Sequence, residues 1–274
     1  CYNHPEASKW GVHYLSFIDD QINYFLLTND AATPKVFEDV FNQWYDQIDT
    51  VQNESTVKMT KTYDFIWYEL GLANRLQKFV DAYRIFGKYM SPATNKRMLK
   101  NILGSARWLA QCIEKTPFHP YNWQTHTAMT LGYVACLFPE FKESNSWLKM
   151  SRHNMELHLK NDIVDDGGYI ERTTSYADYM FSIYYRYMLM MKYFKNDNYF
   201  MTKYLPRIEK FIEYFVHTNT PIGLNAAFND ARRGLSLVRV FKEMGEFFKR
   251  GDFIGAIKNN LSPETLAALK VEPK

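Results

Sequence analysis

Apolar residues recur every three or four positions along nearly the whole chain, and strand-like alternation is scarce. This spacing places the apolar side chains on one face of a helix, and each helix must bury that face against another. The sequence therefore predicts an all-α protein. The predicted helices cover residues 12–27, 35–52, 63–90, 93–114, 122–137, 143–161, 175–194, 197–217 and 233–249.

Short connections rich in helix-breaking residues separate these segments, as at Ser91-Pro92 and Gly167-Gly168. Short connections favour antiparallel neighbours, which form a bundle, a solenoid or a closed toroid of helical hairpins. The helices differ in length and share no repeated sequence, which favours a toroid or an irregular bundle. The first part of the chain is less periodic. We therefore expect a leading helical segment at 1–55 and one main domain at 56–274.

The charge balance argues against a dedicated nucleic-acid partner but leaves a local basic groove open. There are 33 Lys and Arg against 30 Asp and Glu, a net charge of only +3, whereas nucleic-acid binders carry a strongly basic surface. Aromatic residues make up 17% of the chain, which suits large cores and also carbohydrate-binding clefts. No apolar run reaches the roughly 20 residues of a membrane span. The richest one, Met180 to Met191, contains Arg186.

The three cysteines, Cys1, Cys112 and Cys136, are too few for a disulfide-built scaffold. Cys112 and Cys136 lie in apolar helical segments, so we expect two buried thiols, with a bridge between them as the alternative. Cys1 suits the lipid-modified first residue of a bacterial lipoprotein, and it equally suits an arbitrary chain start.

Neither a metal nor a cofactor is predicted. His153 and His158 are five residues apart, whereas a helical zinc pair is four apart. We expect both histidines on a helix surface or in a satisfied core. The sequence contains no phosphate-binding loop, dinucleotide fingerprint or familiar nucleophile motif.

Polar residues open the predicted helix at 122–137, in the order Asn122, Trp123, Gln124, Thr125 and His126. Side chains and unbonded backbone N–H groups at a helix start can face an anion. The alternative is a plain helix start that Asn122 caps with its side chain.

A second polar stretch follows Asp162 and contains Asp165-Asp166-Gly167-Gly168, which favours a tight turn. Glu171 and Arg172 then lead into a tyrosine-rich helix that begins near Ser175. Several tyrosines, including Tyr176, fall near one stripe of this helix. Such a stripe is typical of core packing with hydroxyl groups at its edge.

A third polar cluster lies between Asn225 and Arg233. Arg232 and Arg233 could grip carboxylate or sulfate groups through their planar guanidinium groups. They equally suit solvated charges at a helix start.

Taken in order, these pieces resemble the helical domain of the heparinase II/III family of polysaccharide lyases, with heparinase III-like members nearest. The resemblance covers residues 60–235, and its most specific part is an Asn followed 54 residues later by a Tyr after an Asp-Gly-Gly turn. The matching residues are Trp67, Glu69, Arg75, Asn122-Trp123, 138–141, Trp147, Asp166-Gly167-Gly168, Glu171, Ser175-Tyr176 and Asn229-Asp230.

The resemblance implies an incomplete α/α toroid that cleaves a uronic-acid polysaccharide, heparan-sulfate-like before alginate-like, by β-elimination. Asn122 would neutralise the uronate carboxylate, and Tyr176 would act as general acid or base. The other residues for which substrate contact is predicted are Trp123, His126, Glu171, Arg172, Asn229, Arg232 and Arg233. The expected partner is an acidic polysaccharide, in the periplasm or outside the cell, with Cys1 as a candidate lipid anchor.

The sequence departs from the family pattern at two positions. Many members have His directly after the Asn and after the Tyr, where this chain has Trp123 and Ala177. His126, one turn beyond Asn122, is a candidate substitute. The family also continues into a β-sheet domain that supplies a further catalytic His, and nothing after residue 235 is rich in strands. We therefore expect the chain to be the helical part of a longer protein and an incomplete enzyme on its own, with a lineage that has only the toroid as the alternative. Two alternatives stay open: a non-catalytic carbohydrate-binding domain, and an inverting glycoside hydrolase that uses two of Asp166, Glu171 and Asp230.

Overall fold

The computed structural model describes residues 13–47, 67–218, 220, 222–229, 231 and 236–274. Within these ranges the regular structure is helical, and no strand is present beyond two isolated bridges, Ile163–Tyr169 and Leu224–Ser236. The helices are α1 (Phe17–Thr28), α2 (Thr33–Gln47), α3 (Glu69–Phe86), α4 (Pro92–Lys115), α5 (Asn122–Leu137), α6 (Ser144–Asn161), α7 (Thr174–Phe194), α8 (Asn198–Thr218), α9 (Val238–Phe248), α10 (Gly251–Gly255) and α11 (Pro263–Ala267).

The nine predicted helices correspond to α1 through α9. The start of α4 was predictable from the sequence because it has a side-chain cap. The Ser91 hydroxyl accepts a hydrogen bond from the Thr94 N–H at 3.2 Å, and Pro92 occupies the first helical position. Helix α9 begins at Val238 rather than near 233, and α10 and α11 were not predicted, because five residues are too short to show a period. The predicted boundary at residue 55 lies outside the described residues and stays a prediction.

The chain divides into two compact units, one of residues 1–119 and 126–152, the other of residues 120–125 and 153–274. The first unit has an aromatic core at the contact of α2 and α3. Phe41 meets Phe79 edge to face at 5.4 Å between ring centroids, and Phe37 and Phe86 lie 5.1 Å apart. All four are at most 3% exposed. A buried Phe stabilises the fold by about 1.5–3 kcal/mol, so this cluster accounts for much of the cohesion of the unit.

The second unit is built on α7 and α8, which pack along their length. Their shared core is aromatic and methionine-rich, with Tyr184 and Phe211 in edge contact at 6.1 Å. At the C-terminal side, Arg250 donates to Glu209 at 2.9 Å and to Glu213 at 3.1 Å, both on α8. It also pairs with Asp252 at 2.5 Å. This cluster attaches the start of α10 to α8.

The described residues confirm the expectation of two buried thiols. Cys112 and Cys136 are buried thiols with no disulfide between them, so the bridge alternative is wrong. No group of three or more metal-ligating side chains occurs among the described residues. None of the helices in the described ranges is long and apolar enough to cross a membrane. Cys1 lies outside these ranges.

Candidate functional site

The start of α5 is held by a carboxylate from another part of the chain. Glu171 Oε1 accepts the backbone N–H of Asn122 at 3.0 Å and the hydroxyl of Tyr169 at 2.8 Å. A negative charge at a helix N-terminus is favourable because it faces unpaired N–H groups. The N–H of Asn122, expected to face an external anion, is therefore already bonded.

The side chain of Asn122 lies close beside this anchor. It is 8% exposed, and its Oδ1 has no hydrogen-bond partner among the described residues. The interpretation of Asn122 as a side-chain cap is therefore wrong, because a cap requires that oxygen to accept an N–H of the first turn. A buried amide end without a partner costs about 1–3 kcal/mol and calls for an explanation.

The Asp-Gly-Gly turn is present as predicted. Asp166 Oδ1 accepts the Gly168 N–H at 2.8 Å, and the Gly167 N–H reaches the carbonyl of Val164 at 2.9 Å. Gly167 has φ 91°, and a Cβ there would lie 2.3 Å from the backbone oxygen of Lys210 on α8. Only glycine fits this position, and its lack of a side chain lets the backbone of the loop pack directly against the backbone of α8.

A buried carboxylate ties this loop to three helices. Asp162 Oδ2 accepts from His158 Nδ1 at 2.8 Å, from the Tyr184 hydroxyl at 3.0 Å and from the Thr125 hydroxyl at 3.2 Å. Asp162, His158 and Thr125 are fully buried and Tyr184 is 1% exposed. Burial, reinforced by the negative charge of Asp162, raises the pKa of Tyr184 well above 10.

This Asp162 cluster was not predicted, although a signal for it exists. His158 and Asp162 are four residues apart at the end of a helix, which is the spacing at which side chains meet. His158 is thus a core histidine whose Nδ1 bonds Asp162, which agrees with the core alternative, while His153 is exposed on the helix surface. Because Thr125 is in the first turn of α5, the cluster and Glu171 together fix the backbone that carries Asn122.

Tyr176 lies in the first turn of α7 with 37% of its surface exposed. The start of this helix is fixed at Thr174, whose hydroxyl donates to the carbonyl of Ala226 at 2.5 Å and accepts from Asn225 Nδ2 at 2.9 Å. The next residue, Ala177, is buried at 3% exposure. Tyr176 therefore projects a phenol toward solvent from an anchored backbone.

A groove of about 590 Å³ runs along the Asp-Gly-Gly loop, and we call it the loop groove. Its lining includes Tyr169, Arg172, Tyr214 and Asn229. Asn229 Nδ2 donates to the carbonyl of Arg172 at 2.5 Å. Arg172 and Asn229 have φ values of 54° and 51°. Such left-handed non-glycine residues cost of order 1 kcal/mol or more and concentrate at functional sites. The structure thus brings together two of the residues predicted to contact substrate.

The other predicted site residues lie as follows. Trp123 is half-buried on α5. His126, in the first unit, is 2% exposed, and its Nε2 contacts Gln77 Nε2, which donates to the Thr130 hydroxyl at 2.8 Å. Arg232 and Arg233, with Asp230, lie outside the described residues, so their roles stay predictions.

Comparison with known proteins decides the family. The model of the heparinase II/III N-terminus matches residues 3–254, which is most of the chain. The chain belongs to the heparinase II/III N-terminal family. The resemblance read from the sequence is therefore confirmed.

One relative and two solved structures are similar to this chain. A heparin-sulfate lyase of Bacteroides stercoris is 25% identical over 192 residues, covering 69% of this chain and 28% of the relative. A crystal structure of heparinase III has a TM-score of 0.70 at 17% identity, covering 89% of this chain and 38% of that chain. The heparan sulfate lyase HepC of Pedobacter heparinus has a TM-score of 0.65 at 17% identity, covering 91% and 38%.

These likenesses confirm the predicted fold class. The chain is all-α, and its fold is that of the helical toroid in the heparinase III structures. The chain spans 28% of the length of its curated relative and 38% of the two solved chains. The similarity thus concerns their helical portion.

Proposed function

We propose that this chain is the helical part of a polysaccharide lyase that cleaves a heparan-sulfate-like glycan by β-elimination. The observation that carries the proposal is the Asn122 amide, which is buried, lacks a partner at one end and stands on a doubly anchored helix start. Membership of the heparinase II/III family and likeness to a heparin-sulfate lyase support this substrate class. A periplasmic or extracellular location belongs to the same proposal.

Asn122 would act on the carboxylate of the uronic acid. The proton on C5 of a uronate is weakly acidic because the adjacent carboxylate is already negative. An amide that hydrogen-bonds this carboxylate favours the enolate-like state in which the negative charge grows. The anchored backbone at Asn122 limits reorganisation during the reaction, so the bond is strongest where charge develops.

Tyr176 would move the proton. In β-elimination a base removes the C5 proton, the electron pair forms the C4–C5 double bond, and the C4–O bond breaks. The departing glycosidic oxygen then takes up a proton. An exposed phenol in the first turn of α7 suits delivery of that proton, or removal of the C5 proton as a phenolate.

Substrate contacts would come from the loop groove, where Arg172 and Asn229 lie together. Arg172 is exposed and suits a sulfate or carboxylate group. Trp123, Arg232 and Arg233 keep their predicted substrate-binding roles, whereas His126 is buried against Gln77 within the first unit. Glu171, whose carboxylate already accepts two hydrogen bonds, would serve the site by holding α5 rather than by reacting.

The test is ultraviolet absorbance of the unsaturated uronate, measured with heparan sulfate, heparin, hyaluronan, chondroitin sulfate and alginate. The assay uses this chain and also the full-length gene product that contains it. We expect product from heparan sulfate and a loss of at least about a hundredfold in Asn122→Ala and Tyr176→Phe. Tyr193→Phe, an exposed tyrosine on the same helix, is the matched control.

Two results would contradict the proposal. If the full-length product binds glycans yet releases no unsaturated uronate, the chain belongs to a binding protein. If Tyr176→Phe turns over normally, the role assigned to Tyr176 is wrong. A glycoside hydrolase would release saturated ends, but Asp166 and Glu171 are both committed to structural hydrogen bonds.

A further inference from the structure

Outside the loop groove, the second unit carries a cavity of about 510 Å³ beside α8, and we call it the basic groove. Four cationic side chains line it, and the carboxylate of Asp165 is the acidic group in the lining. The cations are Lys160, Lys203, Arg207 and Lys210.

Two of these cations are held in place and two are not. Arg207 Nη2 donates to the carbonyl of Lys160 at 2.9 Å and also to that of Ile163, which fixes the guanidinium against the end of α6. Lys203 Nζ lies 3.1 Å from the Tyr199 hydroxyl and 3.7 Å from Glu156 Oε2. Within the described chain, the exposed ammonium groups of Lys160 and Lys210 have neither a hydrogen bond nor an ion pair.

Three of these cations belong to one stripe of α8. Lys203, Arg207 and Lys210 are separated by four and three residues, and Tyr199 and Tyr214 extend the same spacing at either end. At 3.6 residues per turn the five side chains fall within about 80° of the helix surface and span roughly 22 Å. Tyr199 is 60% exposed, and Lys203 Nζ lies 5.2 Å from its ring centroid.

The basic groove adjoins the loop groove. Val164 lines both, and Tyr214, at the far end of the stripe, lines the loop groove together with Arg172. A linear ligand that lies along α8 would therefore pass from one groove to the other.

We propose that the basic groove is a second binding site for a linear sulfated or carboxylated glycan, outside the site of bond cleavage. Cations recognise the anionic groups, and the flanking exposed tyrosine offers a face on which a sugar ring can stack. The identity of the ligand as a glycan rests on the proposed function. The site itself rests on the convergence of four cations on one cavity.

A nucleic acid is the less suitable occupant. The whole chain has a net charge of only +3, whereas nucleic-acid binders carry a strongly basic surface. DNA is therefore included in the test as a competitor.

The test compares heparin binding by the wild-type chain with that of the double variant Lys160→Ala/Lys210→Ala, by calorimetry at physiological salt. Neither ammonium group has a partner in the part of the chain that the structure describes, so the variant is expected to fold normally. We expect a Kd about tenfold weaker, equivalent to about 0.7 kcal/mol for each lost ion pair. The dependence of Kd on salt should also become shallower, because fewer counterions are released.

The matched control is Lys96→Ala/Lys100→Ala on α4, which removes the same two charges from exposed positions one helical turn apart. Equal weakening in both double variants would overturn the proposal, since binding would then follow net charge alone. Absence of heparin binding by the wild-type chain would overturn it as well. So would binding of DNA as tightly as heparin with the same dependence on Lys160 and Lys210.

The two proposals can fail separately. If the full-length protein releases no unsaturated uronate but heparin binding still depends on the basic groove, only the lyase proposal fails. If turnover is present and heparin binding is unchanged in Lys160→Ala/Lys210→Ala, only the second site fails.

Discussion

Replacing Tyr184 by Phe removes one hydroxyl from the Asp162 cluster and changes little else. The hydroxyl donates to Asp162 Oδ2 at 3.0 Å in a fully buried setting. A hydrogen bond to a charged group stabilises by about 1.5–3 kcal/mol. Asp162 keeps Thr125 and His158 as donors in the variant. We therefore expect the free energy of unfolding to fall by about 2 kcal/mol, and the thermal midpoint by roughly 4–8 °C.

The assay is urea unfolding followed by circular dichroism, with Tyr185→Phe as the control. Tyr185 is the next residue on α7, is half-buried, and no hydrogen bond of its hydroxyl is found within the described chain. We expect its loss to cost less than about 0.5 kcal/mol. A Tyr184→Phe variant as stable as Tyr185→Phe would show that Asp162 does not depend on this donor.

The contact between Tyr184 and Asp162 also predicts how the cost of Tyr184→Phe depends on pH. Burial and the charge of Asp162 raise the pKa of Tyr184 in the folded protein. A raised folded pKa gives stability that is complete below the unfolded pKa, about 10, and is lost as pH rises through the folded value. The cost of Tyr184→Phe should thus be constant from pH 6 to 9, and a difference that disappears in this range would refute the reasoning.

Three further outcomes follow from individual side chains. Gly167→Ala should lower the free energy of unfolding by about 2–4 kcal/mol, because its Cβ would meet the backbone of α8. The control is Gly87→Ala, whose Cβ would meet nothing closer than 3.5 Å. It should be nearly neutral in the same urea titration. Burial raises the pKa of Asp178, against the opposing charge of Arg239, so the folded protein disfavours its charged form. Asp178→Asn should therefore be more stable than wild type at pH 7, with no difference at pH 3, where the carboxyl is protonated in both states. Burial, with the charge of Glu69, raises the pKa of Cys112 to about 12. At pH 8 the thiolate fraction of Cys112 should therefore be roughly a thousandfold smaller than that of an ordinary cysteine. Rapid labelling of Cys112 by a disulfide reagent in the native protein would contradict its burial.

The helices and the main candidate residues were identified in the sequence for different reasons. The 3.6-residue period of α3 through α8 is a local property, so it can be read directly from the sequence. Asn122 and Tyr176 were found through their order and spacing within a family pattern. The anchoring of Asn122 was not predictable, because its backbone N–H donates to Glu171, a residue 49 positions away in the chain.

The misses share a physical cause. The Asp162 cluster combines residues of α5, α6 and α7, and only the pair His158 and Asp162 is close in sequence. The position of the basic groove was not predicted, because the spacing of Lys203, Arg207 and Lys210 is also typical of the solvated face of an amphipathic helix. Their convergence with Lys160 appears only once α6 and α8 are placed side by side.

Glu171 accepts its hydrogen bond from the backbone N–H of residue 122, so the side chain of Asn122 takes no part in the anchoring. Any residue other than proline offers the same N–H at that position, so the helix start is independent of the group it displays. Exchanging Asn122 for another side chain therefore changes the chemistry presented there without releasing α5 from its anchor. Glu171 thus fixes the helix start, while the side chain at position 122 alone sets the group presented there.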